Sequence, residues 1–275
     1  MTAPDTARPT RIAVIGAGPA GAATAALMAR RGASVVVLDD GKRPDLIVGE
    51  SLIPMLVEVF RQLGIEEQVS RLGVRKPGVT FTIDADTAFQ LSFEAVRGVL
   101  PTYSYNVPRQ EFDRLIQDTA RAAGARFVGT RVDLGPAAAG REVTLSAETL
   151  ALIPEWQGCQ PDFIVDASGR RRLLAKHLGI RAQTGKRTDV AHFAHYENCA
   201  TPEPEGQVII GRLRHGWSWR IPLTGGRLSV GVVINKSHAA AFGATPEEQL
   251  EGVIAGDPRL SRDCDSRRRV SAIAT

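Results

Sequence analysis

The strongest constraint on this chain is the passage from residues 11–15 (Arg-Ile-Ala-Val-Ile) into Gly16-Ala17-Gly18-Pro19-Ala20-Gly21, followed by an alanine-rich stretch that reaches Arg31. The apolar run reads as a buried strand and the alanines as a helix. A second apolar run, 35–38, closes on Asp39. Strand, glycine turn, helix and strand within about thirty residues make the phosphate-binding start of a parallel sheet. Each glycine has a mechanical task. Gly16 permits the tight turn, Gly18 lets the backbone approach a pyrophosphate, and Gly21 lets the helix pack closely on the strand. The helix N-terminus, with Ala20 in its first turn, then presents unpaired N–H groups and a partial positive charge to the phosphates. Asp39 stands 18 residues beyond Gly21, where a carboxylate accepts hydrogen bonds from a ribose, with Asp40 as its competitor. The pattern predicts a dinucleotide site.

The rest of the composition limits what surrounds that site. With 275 residues, 43% of them hydrophobic and 23% charged, the chain has material for one large or two modest domains. Lys and Arg exceed Asp and Glu by only four, and the basic residues cluster only at Arg170-Arg171-Arg172 and Arg267-Arg268-Arg269. Nothing in that pattern calls for nucleic acid. Cys159, Cys199 and Cys264 are odd in number and lack metal-ligand spacing, which reads as reduced thiols in a cytoplasmic protein. His192 and His195 lie three apart in a strand-like segment, hence on opposite faces, so no metal site is expected. The first eleven residues are polar and no apolar run approaches bilayer length, so neither a leader nor a membrane span is expected.

Further along, 52–63 reads as a helix with Ser51 as its N-cap and Pro54 in its first turn. Strands are expected at 79–83 and 88–93, a helix at 109–123 ending on Gly124, and strands at 126–128 and 163–165. The last runs into Asp166-Ala167-Ser168-Gly169. Beyond Gly185 come alternating β segments at 192–196, 207–213, 217–223 and 228–234, the last two joined by a hairpin connection at Thr224-Gly225-Gly226-Arg227. In an extended 217–223, Trp217 and Trp219 share one face, with Ser218 and Arg220 behind. They form either an aromatic wall for a flat ligand or ordinary core. The predicted fold is α/β: a Rossmann-like GxGxxG parallel-sheet domain with an inserted, mostly antiparallel β domain.

The order of these motifs resembles the FAD-dependent monooxygenase superfamily. It runs Gly16-x-Gly18-x-x-Gly21, Val48-Gly49-Glu50-Ser51-Leu52, Arg109-x-x-Phe112-Asp113, Asp166-Ala167-Ser168-Gly169, then Gly216-Trp217-Ser218-Trp219-Arg220-Ile221-Pro222. Within the superfamily the likeness is closest to the flavin-dependent, tryptophan halogenase-like enzymes, whose Gly-Trp-x-Trp-x-Ile-Pro signature is matched throughout. The resemblance implies that Gly16, Gly18, Ala20 and Gly21 hold the FAD pyrophosphate and Asp39 the adenosine ribose. It implies that Gly49, Glu50 and Ser51 line the flavin, and that Arg109 and the segment of Asp166, Ser168 and Gly169 meet the cofactor. For Arg109 the competing reading is a surface ion pair with Glu111 or Asp113; for Glu50 it is an acid favoured by a helix dipole. Lys76 falls where such halogenases carry their essential lysine, against the reading of a solvated lysine in a polar Pro-Gly turn. Trp217, Trp219 and Pro222 are assigned to the substrate pocket. The FAD-binding domain is expected at 10–78 and 104–182, and the substrate domain at 79–103 and 183–270.

The implied chemistry is that of reduced FAD and O₂ giving a flavin C4a-hydroperoxide, which halogenates or hydroxylates an electron-rich indole, phenol or pyrrole, free or carried on a carrier or protein. Electrons would come from NAD(P)H or a partner flavin reductase. The rival readings are an aromatic or peptidyl-tryptophan hydroxylase, a flavoprotein like the geranylgeranyl reductases, and a non-catalytic FAD-binding accessory protein. The family usually continues past a segment like residues 269–275 to a Gly-Asp motif and a helical region. The expectation is therefore that the flavin domain is completed beyond residue 275.

Overall fold

A computed structural model describes residues 8–84, 86–96, 101–136 and 143–275. The polar stretch before Arg8 lies outside the described residues, as do short parts of the ranges 79–103 and 104–182. By its contacts the chain forms two compact units: residues up to Arg43 with Asp113–Gln183, and Pro44–Phe112 with Thr184–Thr275. These boundaries differ from the functional division drawn from the sequence, because residues 44–78 and 104–112 pack with the second unit.

In the first unit, β1 (Arg11–Ile15), β2 (Ser34–Asp39), β7 (Arg126–Gly129) and β10 (Phe163–Asp166) form a sheet of order β10-β1-β2-β7. Every pairing in it is parallel. The two central strands are apolar on both faces, as a sheet covered on both sides requires. Helix α1 (Pro19–Arg30) crosses over from β1 to β2, burying Gly21, Ala22, Ala25 and Ala26. Ala13, Ile15, Val36 and Leu38 of the sheet pack with Leu150, Ile153 and Trp156, whose indole N–H donates to Ser34 Oγ at 2.8 Å. Short strands β8 (Leu134–Gly135) and β9 (Thr144–Leu145) and helices α5 (Ala147–Ala151) and α6 (Leu173–His177) complete the unit. Helix α4 (Arg109–Ala122) crosses the unit boundary in sequence.

The second unit carries a seven-stranded sheet of order β15-β11-β14-β13-β12-β4-β5. Its strands are β4 (Gly78–Thr82), β5 (Ala88–Ser92), β11 (Asp189–Glu197), β12 (Val208–Leu213), β13 (Gly216–Leu223), β14 (Arg227–Asn235) and β15 (Arg268–Arg269). All its pairings are antiparallel except β12 with β4. One face packs Ala194, Tyr196, Val230, Val232 and Ile234 against Leu250, Val253, Ile254 and Leu260. Those partners come from α8 (Pro246–Gly256), which opens on a Thr245/Glu248 capping box, and α9 (Pro258–Asp263); α7 (Lys236–Ala239) precedes them. A second cluster gathers Phe193, Val208, Trp219, Ile221 and Leu223. With both faces covered, alternation brings hydrophobic and polar side chains alike into the interior.

Apart from the large sheet, β3 (Val74–Lys76) pairs antiparallel with β6 (Ser104–Asn106), next to α2 (Met55–Leu63) and α3 (Glu66–Leu72). The structure corrects the sequence reading here. The helix expected at 52–63 starts only at Met55, and Ser51 is not its N-cap. Ser51 bridges to Asn106, Leu52 N–H donates to the Tyr105 carbonyl at 2.9 Å, and Val107 N–H donates to the Glu50 carbonyl at 2.7 Å. Backbone groups committed to that pairing cannot begin a helix, and Pro54 keeps Ile53 out of the helical region. Glu50 therefore lies outside the helix, and the dipole reading for it falls.

Candidate functional site

In the first unit the turn after β1 is held from several sides. Gly16 has φ +104°, a region that favours glycine, and its N–H donates to the Leu38 carbonyl at 2.9 Å. The Ala17 N–H donates to Asp39 Oδ2 at 2.7 Å, and the Ala17 carbonyl accepts from Gln117 Nε2 at 2.8 Å. A Cβ on Gly21 would strike the Gly16 carbonyl, while the side-chain position of Gly18 opens on free space. Gly21 thus makes a close contact with the turn, and Gly18 leaves a gap. Helix α1 begins at Pro19 with no side-chain cap on Gly18, and its first helical bond runs from Ala22 N–H to the Gly18 carbonyl. The donors before Ala22 have no partner within the helix, which suits an anionic group.

Asp39 is already engaged by the protein's own backbone. Its two oxygens accept from Ala17 and from Gly41 N–H at 2.8 Å, with Arg43 3.7 Å away. A carboxylate has lone pairs for further donors, so these bonds orient it without exhausting it. Asp40, the competitor, is taken by Arg171 at 2.6 Å. Asp166, at the end of β10, accepts from Ser168 N–H and Oγ and, at 2.9 Å, from Leu174 N–H. Burial pushes its carboxyl upward, but the hydrogen bonds from Ser168 and Leu174 outweigh this and hold it below the usual carboxylate range. Gly169, at φ +60°, begins the turn that leads to α6. The backbone of this turn reaches the glycine motif: a Cβ on Gly16 would meet the Ala167 carbonyl. The residues present fit a dinucleotide pyrophosphate.

The second unit holds buried ionisable groups. Lys76 is only 4% exposed; its ammonium donates to the Leu52 carbonyl at 3.0 Å and lies 5.1 Å from the centre of the Phe93 ring. Burial pushes its pKa down to about 8. It is not the solvated turn lysine of the competing reading. Around it on the β3–β6 ribbon, Ser104 and Asn106 are fully buried, and Ser104 Oγ, Asn106 Oδ1 and the nearby Gln207 Oε1 have no hydrogen-bond partner among the described residues. Ser104 stands directly across from Lys76 in the ribbon. Glu50 is 2% exposed, and its Oε1 lies 2.6 Å from His195 Nε2. Arg109 Nη1 donates to the Val48 carbonyl, beside Gly49 at φ +98°. The sequence reading missed the Glu50–His195 pair, since the partners are 145 positions apart. It also missed the ion pair of buried Arg220 with partly exposed Asp263.

The tryptophan pair divides the two readings between its members. Trp217 and Trp219 do share a face, with ring centres 5.6 Å apart, and Ser218 and Arg220 are buried behind them. Trp219 is core: 4% exposed, 5.6 Å from Phe193 and bonded through its indole N–H to Ser229 Oγ at 3.2 Å. Trp217 is 39% exposed. Pro222 lines a cleft of about 470 Å³ with Arg75, Cys199, Glu205, Thr224 and Arg227, a cleft that neither tryptophan lines. The three cysteines are free thiols, and Cys199 packs against buried Cys264. Among the described residues there is no cluster fit for a metal, and no helix is long and apolar enough to cross a membrane.

A parallel sheet of this order, with a glycine turn leading into an uncapped helix and an acid at the end of β2, defines a dinucleotide-binding fold. The family model described as an FAD binding domain matches residues 9–211, and the chain belongs to that family, with FAD as its cofactor. Among curated proteins it is 31% identical to the tryptophan 2-halogenase of Chondromyces crocatus over 82% of this chain and 44% of that one. It is 29% identical to the flavin-dependent halogenase gsfI of Penicillium aethiopicum over 95% and 54%. Among solved structures, the myxobacterial chondrochloren halogenase CndH superposes with a TM-score of 0.77 at 25% identity, over 98% of this chain and 63% of that one. The chain spans about half the length of the curated relatives it matches.

Proposed function

We propose that the protein is an FAD-dependent oxygenase of the halogenase type, acting on an electron-rich aromatic substrate such as an indole, phenol or pyrrole. The observation that carries this reading is Lys76, an ammonium buried at 4% exposure with its pKa brought near the working range. In this reading the turn of Gly16, Gly18, Ala20 and Gly21 binds the FAD pyrophosphate, and Asp39 takes the ribose. Gly49, Glu50 and Ser51, with Arg109 fixing the Val48 carbonyl, meet the flavin. Asp166, Ser168 and Gly169 supply the second cofactor segment. Reduced FAD, when bound, supplies the activation of O₂.

The chain's own part is positioning and proton control. With a pKa about 8, Lys76 is mostly protonated at pH 7, with about one tenth of it neutral. The neutral amine takes a halogen from hypohalous acid, forming an N–halogen bond as water leaves; the protonated form instead donates a hydrogen bond to it. Trp217, half out of the core and braced by Trp219, offers a face for a flat substrate. Electrons come from NAD(P)H directly or through a flavin reductase. Free thiols suit a reducing, cytoplasmic compartment.

The test supplies reduced FAD, O₂ and candidate aromatics with and without chloride or bromide, and reads product masses. A halogen isotope pattern that disappears in Lys76→Ala supports the reading. Oxygen incorporation indifferent to both halide and Lys76 overturns it and leaves a hydroxylase.

A further inference from the structure

The stretch from Gly49 to Leu52 belongs to no helix or strand, and its backbone is held at three points. Arg109 donates to the Val48 carbonyl at its entrance. Lys76 donates to the Leu52 carbonyl at its exit, 3.0 Å away. Between them the peptide groups of Glu50 and Leu52 pair with Val107 and Tyr105 of the β6 region. All of these holds act on the main chain. Among the described residues, the side-chain bond this stretch makes is that of the Glu50 carboxylate to His195, at 2.6 Å and with both residues under 10% exposed.

His195 is itself well fixed. It sits in β11, where its N–H donates to Ser271 Oγ at 2.9 Å and its carbonyl accepts from Val270 N–H at 2.8 Å. Across the sheet it faces Ser229, the fully buried residue whose hydroxyl accepts from the Trp219 indole. The imidazole thus joins an anchored part of the seven-stranded sheet, next to the tryptophan pair, to a stretch that has no regular element of its own. A buried carboxylate with no donor beside it costs far more than a solvated one, so the pair is strongly preferred to its separated parts.

We propose that His195 is a positioning residue for the Gly49–Ser51 stretch, acting through the Glu50 carboxylate; its bearing on the flavin rests on the functional reading above. The imidazole sets where Glu50 sits, and Glu50 sets the path of the two residues beside it. In that role the residue needs a ring or amide donor at the right reach, and neither bulk nor charge alone can replace it.

The test uses the whole protein with His195→Leu, His195→Gln and Glu50→Gln, each checked for folding by circular dichroism and melting. The readout that needs no cofactor is amide hydrogen exchange. His195→Leu is expected to speed exchange at Leu52 and Val107 about tenfold or more while the β11–β14 amides stay protected, and His195→Gln, which keeps a donor, to restore most of that protection. The second readout is FAD affinity and the shape of the bound flavin's absorbance band. His195→Leu is expected to weaken binding about tenfold and to alter the band, with His195→Gln within about threefold of wild type. Unchanged exchange at Leu52 and Val107 in a folded His195→Leu protein overturns the proposal. Faster exchange with unaltered FAD affinity and spectrum overturns its link to the flavin. Wild type that fails to bind FAD breaks the functional reading instead, and the exchange result then decides alone whether His195 positions the stretch. Should His195→Leu fail to fold, Glu50→Gln carries the same comparison, with the amide retaining a weaker bond to the ring.

Discussion

The two units spend their acidic and basic groups differently. In the first, Asp39 and Asp166 are partly exposed and accept hydrogen bonds from backbone N–H groups, some in their own turns and others in the glycine turn and in α6, so their charge shapes main chain. In the second, Glu50, Lys76 and Arg220 are buried and bonded to residues far off in sequence or to a lone carbonyl. The first arrangement presents backbone to a ligand. The second keeps side-chain charge dry, where small changes in surroundings move proton affinity. A nucleotide is recognised by shape and N–H donors that hardly vary with pH, whereas a reacting nitrogen needs a tuned pKa.

The largest expected effect lies in the backbone-built unit. Gly21→Val would drive a branched side chain into the Gly16 carbonyl, so the variant should lose measurable FAD binding in a fluorescence titration and melt well below wild type. If it binds normally, the contrast fails, for the turn would then tolerate what its geometry forbids.

Next comes the dry lysine. Its folded pKa, about 8, lies below the unfolded value, so the buried charge costs stability at lower pH, and wild type gains stability as pH rises from about 8 to 10.4. Lys76→Met lacks this penalty. It should be more stable than wild type by up to about 3 kcal/mol at pH 7, with the gap closing towards pH 10, as read by urea unfolding at several pH values. A gap that does not change with pH would show the ammonium to be solvated.

The smallest effect sharpens the first unit. Asp166→Asn keeps one carbonyl oxygen of the turn but loses the charge, and should cost about 1 kcal/mol at neutral pH. Because the folded carboxyl is held below its ordinary value, that contribution is present above about pH 4 and disappears as pH falls through the folded value. The melting temperatures of wild type and Asp166→Asn should therefore converge in acid.

This contrast also explains what is legible in the sequence alone. The glycine turn, β1, α1 and β2 lie within 29 consecutive residues, and each constraint on them is local, so their pattern is visible in the letters. The strands from β11 to β14 announce themselves by alternation and differ from expectation by a few residues at their ends. The start of α2 was misread because Ser51 and Pro54 look like a helix opening. What takes Ser51 out of the helix is a backbone pairing with Asn106. The same distance hid the partner of Glu50. His195 could be placed on a strand face opposite Ala194 and Tyr196, but nothing in its sequence neighbours says which acid it meets. For the tryptophans, spacing gives a shared face and no depth, so it could not separate exposed Trp217 from buried Trp219.

The single parallel junction in the large sheet has a consequence for how the chain acquires its structure. β4 and β5 can close as a local hairpin, and β11 to β14 are largely joined by short connections, but Val79 meets its partner Val208 only across about 130 residues. Joining them closes a long loop late, after the entropy of everything between has been restricted. Until then the β4 edge is unpaired beside the exposed rings of Phe81 and Phe89, which invites pairing with another chain. Slow refolding with concentration-dependent losses, relieved by dilution, is the kinetic signature that this one strand order imposes.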